Sequence, residues 1–128
     1  MQELGYTLVS KKSFDEVSDN LEKNSAENQF RVLAVHDVQE TLEEKGFERD
    51  ALKIIEICNA GFAYEALEKN IDVAMFMPCR FTVYRKNDET VVTLARPKMI
   101  SEMLPDSGLD NLATDVEERL IKIMKLSI

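Results

Sequence analysis

The chain has 128 residues, of which 45% are hydrophobic and 31% charged, and its formal net charge is -8. This length and composition predict one globular domain over residues 1–128 and exclude a disordered chain. The acidic balance makes nucleic acid and anionic membranes poor partners, because both carry charge of the same sign.

The first residues of the chain and the lengths of its apolar runs indicate the cellular location of the protein. No apolar run approaches the roughly 18 residues that a membrane helix needs. The opening segment "MQELGYTLVS" has no basic stretch followed by a long apolar core, so we expect no export signal. These features predict a cytoplasmic protein that contacts no membrane. In that reducing compartment its two cysteines, Cys58 and Cys79, should be free thiols.

The first predicted elements are a strand and a helix. Strand-forming residues alternate with smaller or polar ones in "LGYTLVS", which predicts a strand over 4–10. Ser13 has Glu16 three residues later, and this pair forms a capping box. The apolar residues that follow fall on one helical face, so we predict a helix over about 14–26.

A second strand and a short helix come next. The nearly continuous apolar run "FRVLAVHD" predicts a strand over 30–37 that is buried on both faces or partly covered by helices. A further possible capping box, Asp37 with Glu40, starts a helix over 38–45, and Gly46 suits its C-terminal end.

The middle of the chain contains both cysteines. "LKIIEIC" predicts a strand over 52–58, and Asn59 is a suitable N-cap for a helix over 60–69. The segment "VAMFMPCRFTVYRK" predicts a fourth strand region. Pro78 interrupts it, which marks a bulge, an edge or a junction between two strands.

The last third predicts a hairpin and a helix. "NDE" over 87–89 has the residues of a turn, and the strand 90–95 returns beside the fourth strand. A connector with two prolines and about one helical turn follows. From Asp110 onward the apolar residues recur at helical spacing, which predicts an amphipathic helix to the C-terminus.

Three residues that could bind a metal or carry out redox chemistry each follow an apolar stretch. They are His36, Cys58 and Cys79. If neighbouring strands were parallel, all three would lie at one end of the sheet, where ligands commonly bind; antiparallel pairing would separate them. Two thiols and an imidazole suit copper(I), zinc or a redox reaction. The thioethers of Met75 and Met77 could add to a soft-metal site.

A second candidate site is the start of the helix after Cys58. Asn59, Ala60 and Gly61 could offer backbone N–H groups to a small anion, and the same helix end would stabilise a Cys58 thiolate. The segment lacks the lysine and glycine pattern of a phosphate-binding loop, so capping is the simpler interpretation.

Structural roles compete with these site hypotheses. Free cysteine often packs as a small hydrophobic residue, and methionine commonly fills core space. The cysteines lie 21 residues apart, which matches no zinc-binding spacing. His36 could be a hydrogen-bonded structural residue. The sequence requires no cofactor.

The stretch from "KIIEICNAGFAYEAL" through "MFMPCRFTVY" to "VVTLARPKM" resembles a known family, the domain of unknown function 302. The resemblance covers roughly residues 35–99 and includes Cys58-Asn59 and Pro78-Cys79. The family often has proline after the asparagine, where this chain has Ala60. The resemblance implies a two-layer fold and a homodimer. It implies no particular activity, because the family as a whole has none assigned.

We therefore predict an α+β protein, a two-layer sandwich of helices packed on one mixed β-sheet. The first functional hypothesis is a homodimer with a thiol-containing site for a small ligand, a soft metal or redox chemistry, and its candidate residues are Cys58, Cys79 and His36. The alternative is a non-catalytic interaction module whose cysteines are both core residues. Whether the protein is an enzyme stays open.

Overall fold

The computed structural model describes residues 3–128. Met1 and Gln2, which belong to the predicted domain and to the segment inspected for an export signal, lie outside the described residues. The strands are β1 (Gly5–Ser10), β2 (Arg31–Asp37), β3 (Leu52–Cys58), β4 (Cys79–Lys86) and β5 (Glu89–Ala95). The helices are α1 (Phe14–Glu27), α2 (Val38–Glu43), α3 (Ala60–Lys69), α4 (Pro97–Met103), α5 (Asp110–Ser127) and a 3₁₀ helix (Ile71–Phe76).

The five strands form one sheet in the order β1-β5-β4-β3-β2, and every neighbouring pair is antiparallel. The predicted α+β class is confirmed, but the predicted mixed sheet is wrong. The β4–β5 connection is a two-residue turn at Asn87 and Asp88, both with positive φ, which suits a tight hairpin. The β2–β3 and β3–β4 pairs are also antiparallel, because the connections through α2 and α3 return the chain to the end of the sheet that it has just left.

The hydrophobic core lies between one face of the sheet and the helices α1 and α5. Alternate residues of the central strands point into it, as period-two side-chain alternation requires. Its fully buried members include the α1 residues Val17 and Leu21, the α5 residues Leu120, Ile123 and Met124, and the strand residues Ile55, Ile57, Phe81, Val83, Val92 and Leu94.

Local sequence signals fix several helix starts. The Ser13 side chain accepts a hydrogen bond from the Glu16 N–H at 3.1 Å, as the capping box predicts. Asp37 caps α2 in the same way through the Glu40 N–H. Gly46 has φ +84° just beyond the end of α2, a conformation that glycine adopts without steric cost.

Strand β2 is an edge strand, so of the two predicted alternatives burial on both faces is wrong, whereas contacts with α1 agree with partial cover by helices. Leu33 is 51% exposed and Val35 38% exposed. A register irregularity between Val32 and Ala34 places Leu33 outside the regular pairing. The apolar run therefore reflects strand propensity and partial cover by the core rather than a central position in the sheet.

The segment before Pro78 is not part of the fourth strand. Residues Ile71–Phe76 form the 3₁₀ helix, and β4 begins only at Cys79. The Met77–Pro78 peptide bond is cis. Pro78 therefore marks a junction between a helical segment and a strand, where the sequence had predicted a bulge, an edge or a junction between two strands.

Candidate functional site

A half-open apolar pocket lies at the end of the sheet where β3 ends and β4 begins. Its cavity volume is about 100 Å³. The walls come from β3, β4, α3, the 3₁₀ helix, α4 and α5, and most of the lining side chains are aliphatic or aromatic. We call this the cysteine pocket, because Cys58 and Cys79 both line it. Its other lining residues include Phe30, Phe62, Phe76, Ile100, Leu112 and Val116.

The fold brings Cys58 and Cys79 together. Cys58 is the last residue of β3 and Cys79 the first of β4, and the antiparallel register pairs Cys79 with Ile57. Both cysteines are unbridged. The sequence argument expected this grouping only for parallel strands. It occurs with antiparallel strands because Cys79 begins its strand instead of ending it.

The Cys79 thiol is poorly solvated. Burial, with a smaller contribution from negative charge on Cys58, raises its pKa from the ordinary 9.0 to about 11, and the nearby Arg80 acts in the opposite direction. Cys79 also packs against the hydrophobic core. At neutral pH this side chain is therefore an uncharged thiol, which is a weak nucleophile and compatible with apolar neighbours.

His36 does not reach the cysteine pocket. Its register partner on β3 is Ile54, four positions from Cys58, which corresponds to about 13 Å along the strand. His36 Nε2 lies 2.6 Å from Glu56 Oε1, and the imidazole is largely exposed. The antiparallel pairing of β2 and β3 separates the imidazole from the two thiols.

Asn59 is fully engaged as the cap of α3. Its side-chain oxygen accepts from the Phe62 N–H at 3.1 Å, and its amide group donates to the Gln29 carbonyl at 3.0 Å. Ala60 and Gly61 are exposed at the helix start. The Phe62 N–H is therefore already satisfied by the protein, and the predicted anion site at Asn59, Ala60 and Gly61 stays a prediction.

The two methionines differ in position. Met77 lines the cysteine pocket, whereas Met75 is 73% exposed and is not part of the lining. Within residues 3–128 no group of three or more histidine, cysteine, aspartate or glutamate side chains is placed to hold a metal ion. The side chains available to a soft metal in the pocket are the two thiols, with the Met77 thioether as a further lining group.

Sequence reasoning missed the walls that the 3₁₀ helix and α4 contribute. Val73 and Phe76 line the pocket and are three residues apart, the spacing that places side chains on one face of a 3₁₀ helix. Ile100 and Ser101 line it from α4. The three-residue spacing was the available signal, but a short apolar run ending at a proline also suits a strand.

The structure defines a class: an α+β protein with a five-stranded antiparallel sheet, helices on one face and an apolar pocket at one end. A family model described as "Domain of unknown function DUF302" matches residues 6–126. The chain therefore belongs to the DUF302 family.

One solved structure shares the fold over its whole length. It is described as the crystal structure of an uncharacterized conserved protein DUF302 from Bacillus stearothermophilus. The TM-score is 0.94 and the identity 30%, over 99% of this chain and 100% of the other. No curated protein matches the chain. Among residues 3–128 no helix has both the length and the apolar character needed to cross a membrane.

Proposed function

We propose that the cysteine pocket binds a small, uncharged and mainly apolar molecule. The observation that carries the proposal is the lining: it is almost wholly apolar, and its Cys79 thiol is neutral at pH 7. A charged ligand would lose its hydration there without a charged partner among the lining side chains, which is costly. An apolar ligand would lose only unfavourable contact with water.

The size of the cavity sets the size of the ligand. Apolar protein cavities of about 150 Å³ take up benzene or xenon. The cysteine pocket, at about 100 Å³, suits a group of similar or smaller size, and its half-open shape lets a longer molecule extend outward. Asn59 and Ser101 lie in the wall and are the polar groups, with the thiols, that could orient such a ligand.

A second candidate uses the thiols directly, as a soft-metal site or a dithiol–disulfide pair. The adjacency of Cys58 and Cys79 in the β3–β4 register favours it. The raised pKa of Cys79 opposes it, because metal binding and thiol exchange both use the thiolate. The first candidate is therefore preferred.

The proposal also includes the cellular location and the oligomeric state of the protein. We place it in the cytoplasm, where a reducing environment would keep Cys58 and Cys79 as free thiols. We further propose that the single-domain chains associate as a homodimer. The support for the homodimer is the side of the sheet opposite the core, where Ile54, Thr82, Tyr84 and Thr93 are partly exposed and uncharged.

Titration with benzene, followed by ¹H–¹⁵N nuclear magnetic resonance, tests the ligand proposal. We expect saturable shifts at backbone amides around the cysteine pocket. Ala66 lines the pocket, so Ala66→Phe should fill it and weaken benzene binding at least about tenfold. The matched control is Ala26→Phe on the exposed face of α1, which should bind as the unaltered protein does.

Two results would contradict the proposal: shifts that never saturate, or unchanged binding in a folded Ala66→Phe protein. The thiol candidate has its own readout, alkylation of the native reduced protein with and without copper(I). Protection of both cysteines by the metal would favour that candidate over the apolar-ligand proposal.

A further inference from the structure

A second concave region lies at the opposite end of the sheet from the cysteine pocket. It is an open cleft of about 640 Å³, which is within the size range of small-molecule sites. Its walls come from the start of α1, the end of β2, the start of β3 and the end of β4 with the following turn. We call it the charged cleft and define it by its ionisable side chains, which are Lys11, Asp15, Asp37, Lys53, Arg85 and Asp88.

The three cations of the charged cleft form no ion pair among residues 3–128, although three carboxylates line the same cleft. Uncharged groups hold two of them instead. Lys53 Nζ lies 5.5 Å from the centre of the Phe14 ring, which is a cation–π contact. Arg85 Nη1 donates to the hydroxyl of Thr90 at 3.0 Å. The protein therefore positions these two positive charges without neutralising them.

The position of the Arg85 guanidinium is well determined. Thr90 is fully buried, and its hydroxyl donates in turn to the Lys12 carbonyl oxygen at 2.8 Å. A guanidinium has five N–H groups, so Arg85 keeps several of them for a ligand after donating to Thr90. The planar arrangement of these groups matches the oxygens of a phosphate, and a lysine ammonium adds a second positive charge. The cations of the charged cleft therefore suit a phosphate group.

The carboxylates of the charged cleft suit a different part of a ligand. Within residues 3–128 they are not placed to hold a metal ion together. An ionised carboxylate only accepts hydrogen bonds, and the hydroxyl groups of a sugar donate them. Asp37 Oδ1 accepts from the Glu40 N–H at 3.0 Å, which leaves the second carboxylate oxygen for a ligand. The amide nitrogen of Gln39, another lining residue, donates to the Arg49 carbonyl and leaves the Gln39 side-chain oxygen as a further acceptor.

We infer that the charged cleft binds a phosphorylated sugar or polyol. The phosphate lies at Lys11, Lys53 and Arg85, and the hydroxyl groups donate to the carboxylates. A ligand of this class satisfies both signs of charge in the cleft, which neither a free phosphate nor an unphosphorylated sugar does. The inference goes beyond the proposed function and is independent of it, because the cysteine pocket lies at the other ends of β3 and β4.

Isothermal titration calorimetry with glucose 6-phosphate tests the inference. Titration up to roughly 10 mM detects dissociation constants in the millimolar range or below. Inorganic phosphate and glucose are titrated separately. We expect saturable binding of glucose 6-phosphate and at least about tenfold weaker binding of each of the other two compounds, because each lacks one of the two sets of contacts.

Three variants test the part of the cations. Lys53→Gln and Arg85→Gln each remove a positive charge and keep a polar side chain. Each should weaken the binding of glucose 6-phosphate at least about tenfold, since hydrogen bonds to charged groups are the stronger ones. The matched control, Lys122→Gln, removes an exposed charge from α5 and should leave the binding unchanged. Lys11→Gln replaces Arg85→Gln if that protein fails to fold.

Asp37→Asn tests the part of the carboxylates. Asparagine caps a helix about as well as aspartate does, so α2 should keep its start. The variant should bind inorganic phosphate more tightly, because a repelling charge is lost. It should bind glucose 6-phosphate more weakly, because a neutral oxygen is the weaker acceptor for a hydroxyl group.

Each outcome bears on one part of the inference. No saturable binding of glucose 6-phosphate, or unchanged binding in folded Lys53→Gln and Arg85→Gln proteins, overturns the site. Inorganic phosphate that binds as tightly as glucose 6-phosphate, or tighter binding of both compounds by Asp37→Asn, overturns the part of the hydroxyl groups. The benzene titration reports the cysteine pocket separately, so the failure of either proposal is distinguishable from the failure of the other.

Discussion

At the scale of single residues, the environment of Cys79 decides what its thiol can do. The side chain begins β4, packs against the core and lines an apolar pocket. With its pKa raised to about 11 by burial, about one thiol in ten thousand is ionised at pH 7. Cys79 therefore contributes shape and a weak hydrogen-bonding group to the pocket more than it contributes a nucleophile.

The raised pKa of Cys79 predicts how stability changes at high pH. The folded state holds the thiol proton more tightly than the unfolded state, whose pKa is near 9.0. The stabilisation is therefore complete below pH 9 and is lost as the pH rises through 11. For this partly buried group we expect the protein to lose about 2 kcal/mol of unfolding free energy over that range.

Urea unfolding at pH 8 and at pH 11, compared between the unaltered protein and Cys79→Ala, measures this effect. The variant lacks the ionisable thiol, so its loss of stability should be smaller by about the same 2 kcal/mol. Lysines and tyrosines titrate in both proteins and cancel in the difference. Equal losses in the two proteins would show that Cys79 ionises as easily in the folded state as in the unfolded one.

At the scale of elements, a buried ion pair joins the end of β5 to α5. The Glu117 carboxylate accepts from Arg96 Nε at 3.3 Å, from Arg96 Nη2 at 3.1 Å and from the Lys98 N–H at 3.2 Å. Glu117 is only 6% exposed. This one side chain therefore ties the start of α4, which helps to line the cysteine pocket, to the long C-terminal helix.

We expect Glu117→Ala to lower the free energy of unfolding by about 3 kcal/mol, because it leaves a partly buried guanidinium and a backbone N–H without their partner. The matched control is Asp115→Ala, which removes the exposed pair between Asp115 and Arg119 on the same helix and should cost less than about 0.5 kcal/mol. Chemical denaturation of the two variants measures both values. Equal effects would contradict a stabilising role for the buried pair.

Sequence signals were reliable where local chemistry determines the element. The bounds of β3 and α3 follow from an apolar run and a capping asparagine, and the structure confirms both. The strand predicted from Val73 is wrong for the residues before Pro78, because a short apolar run does not distinguish a strand from a 3₁₀ helix. The exposure of β2 depends on which strands flank it, and one sequence does not contain that information.

At the scale of the whole molecule, the order and direction of the strands determine which residues meet. The antiparallel β3–β4 pairing joins Cys58 with Cys79, and the antiparallel β2–β3 pairing keeps His36 away from them. The sequence therefore identified Cys58 and Cys79 as candidate site residues, but it did not predict the strand pairing that brings them together. The remaining walls come from α4, α5 and the 3₁₀ helix, which approach β3 and β4 only through tertiary packing.

A crystal structure of the protein under xenon pressure would show whether the cysteine pocket binds small apolar molecules. Xenon is an uncharged, apolar probe of the size that such cavities accept, and its strong scattering locates it without ambiguity. We expect a xenon atom between Phe62, Cys79 and Val116, and none in the same place in Ala66→Phe. An empty cysteine pocket in crystals that bind xenon elsewhere would contradict the claim that this pocket accepts small apolar molecules.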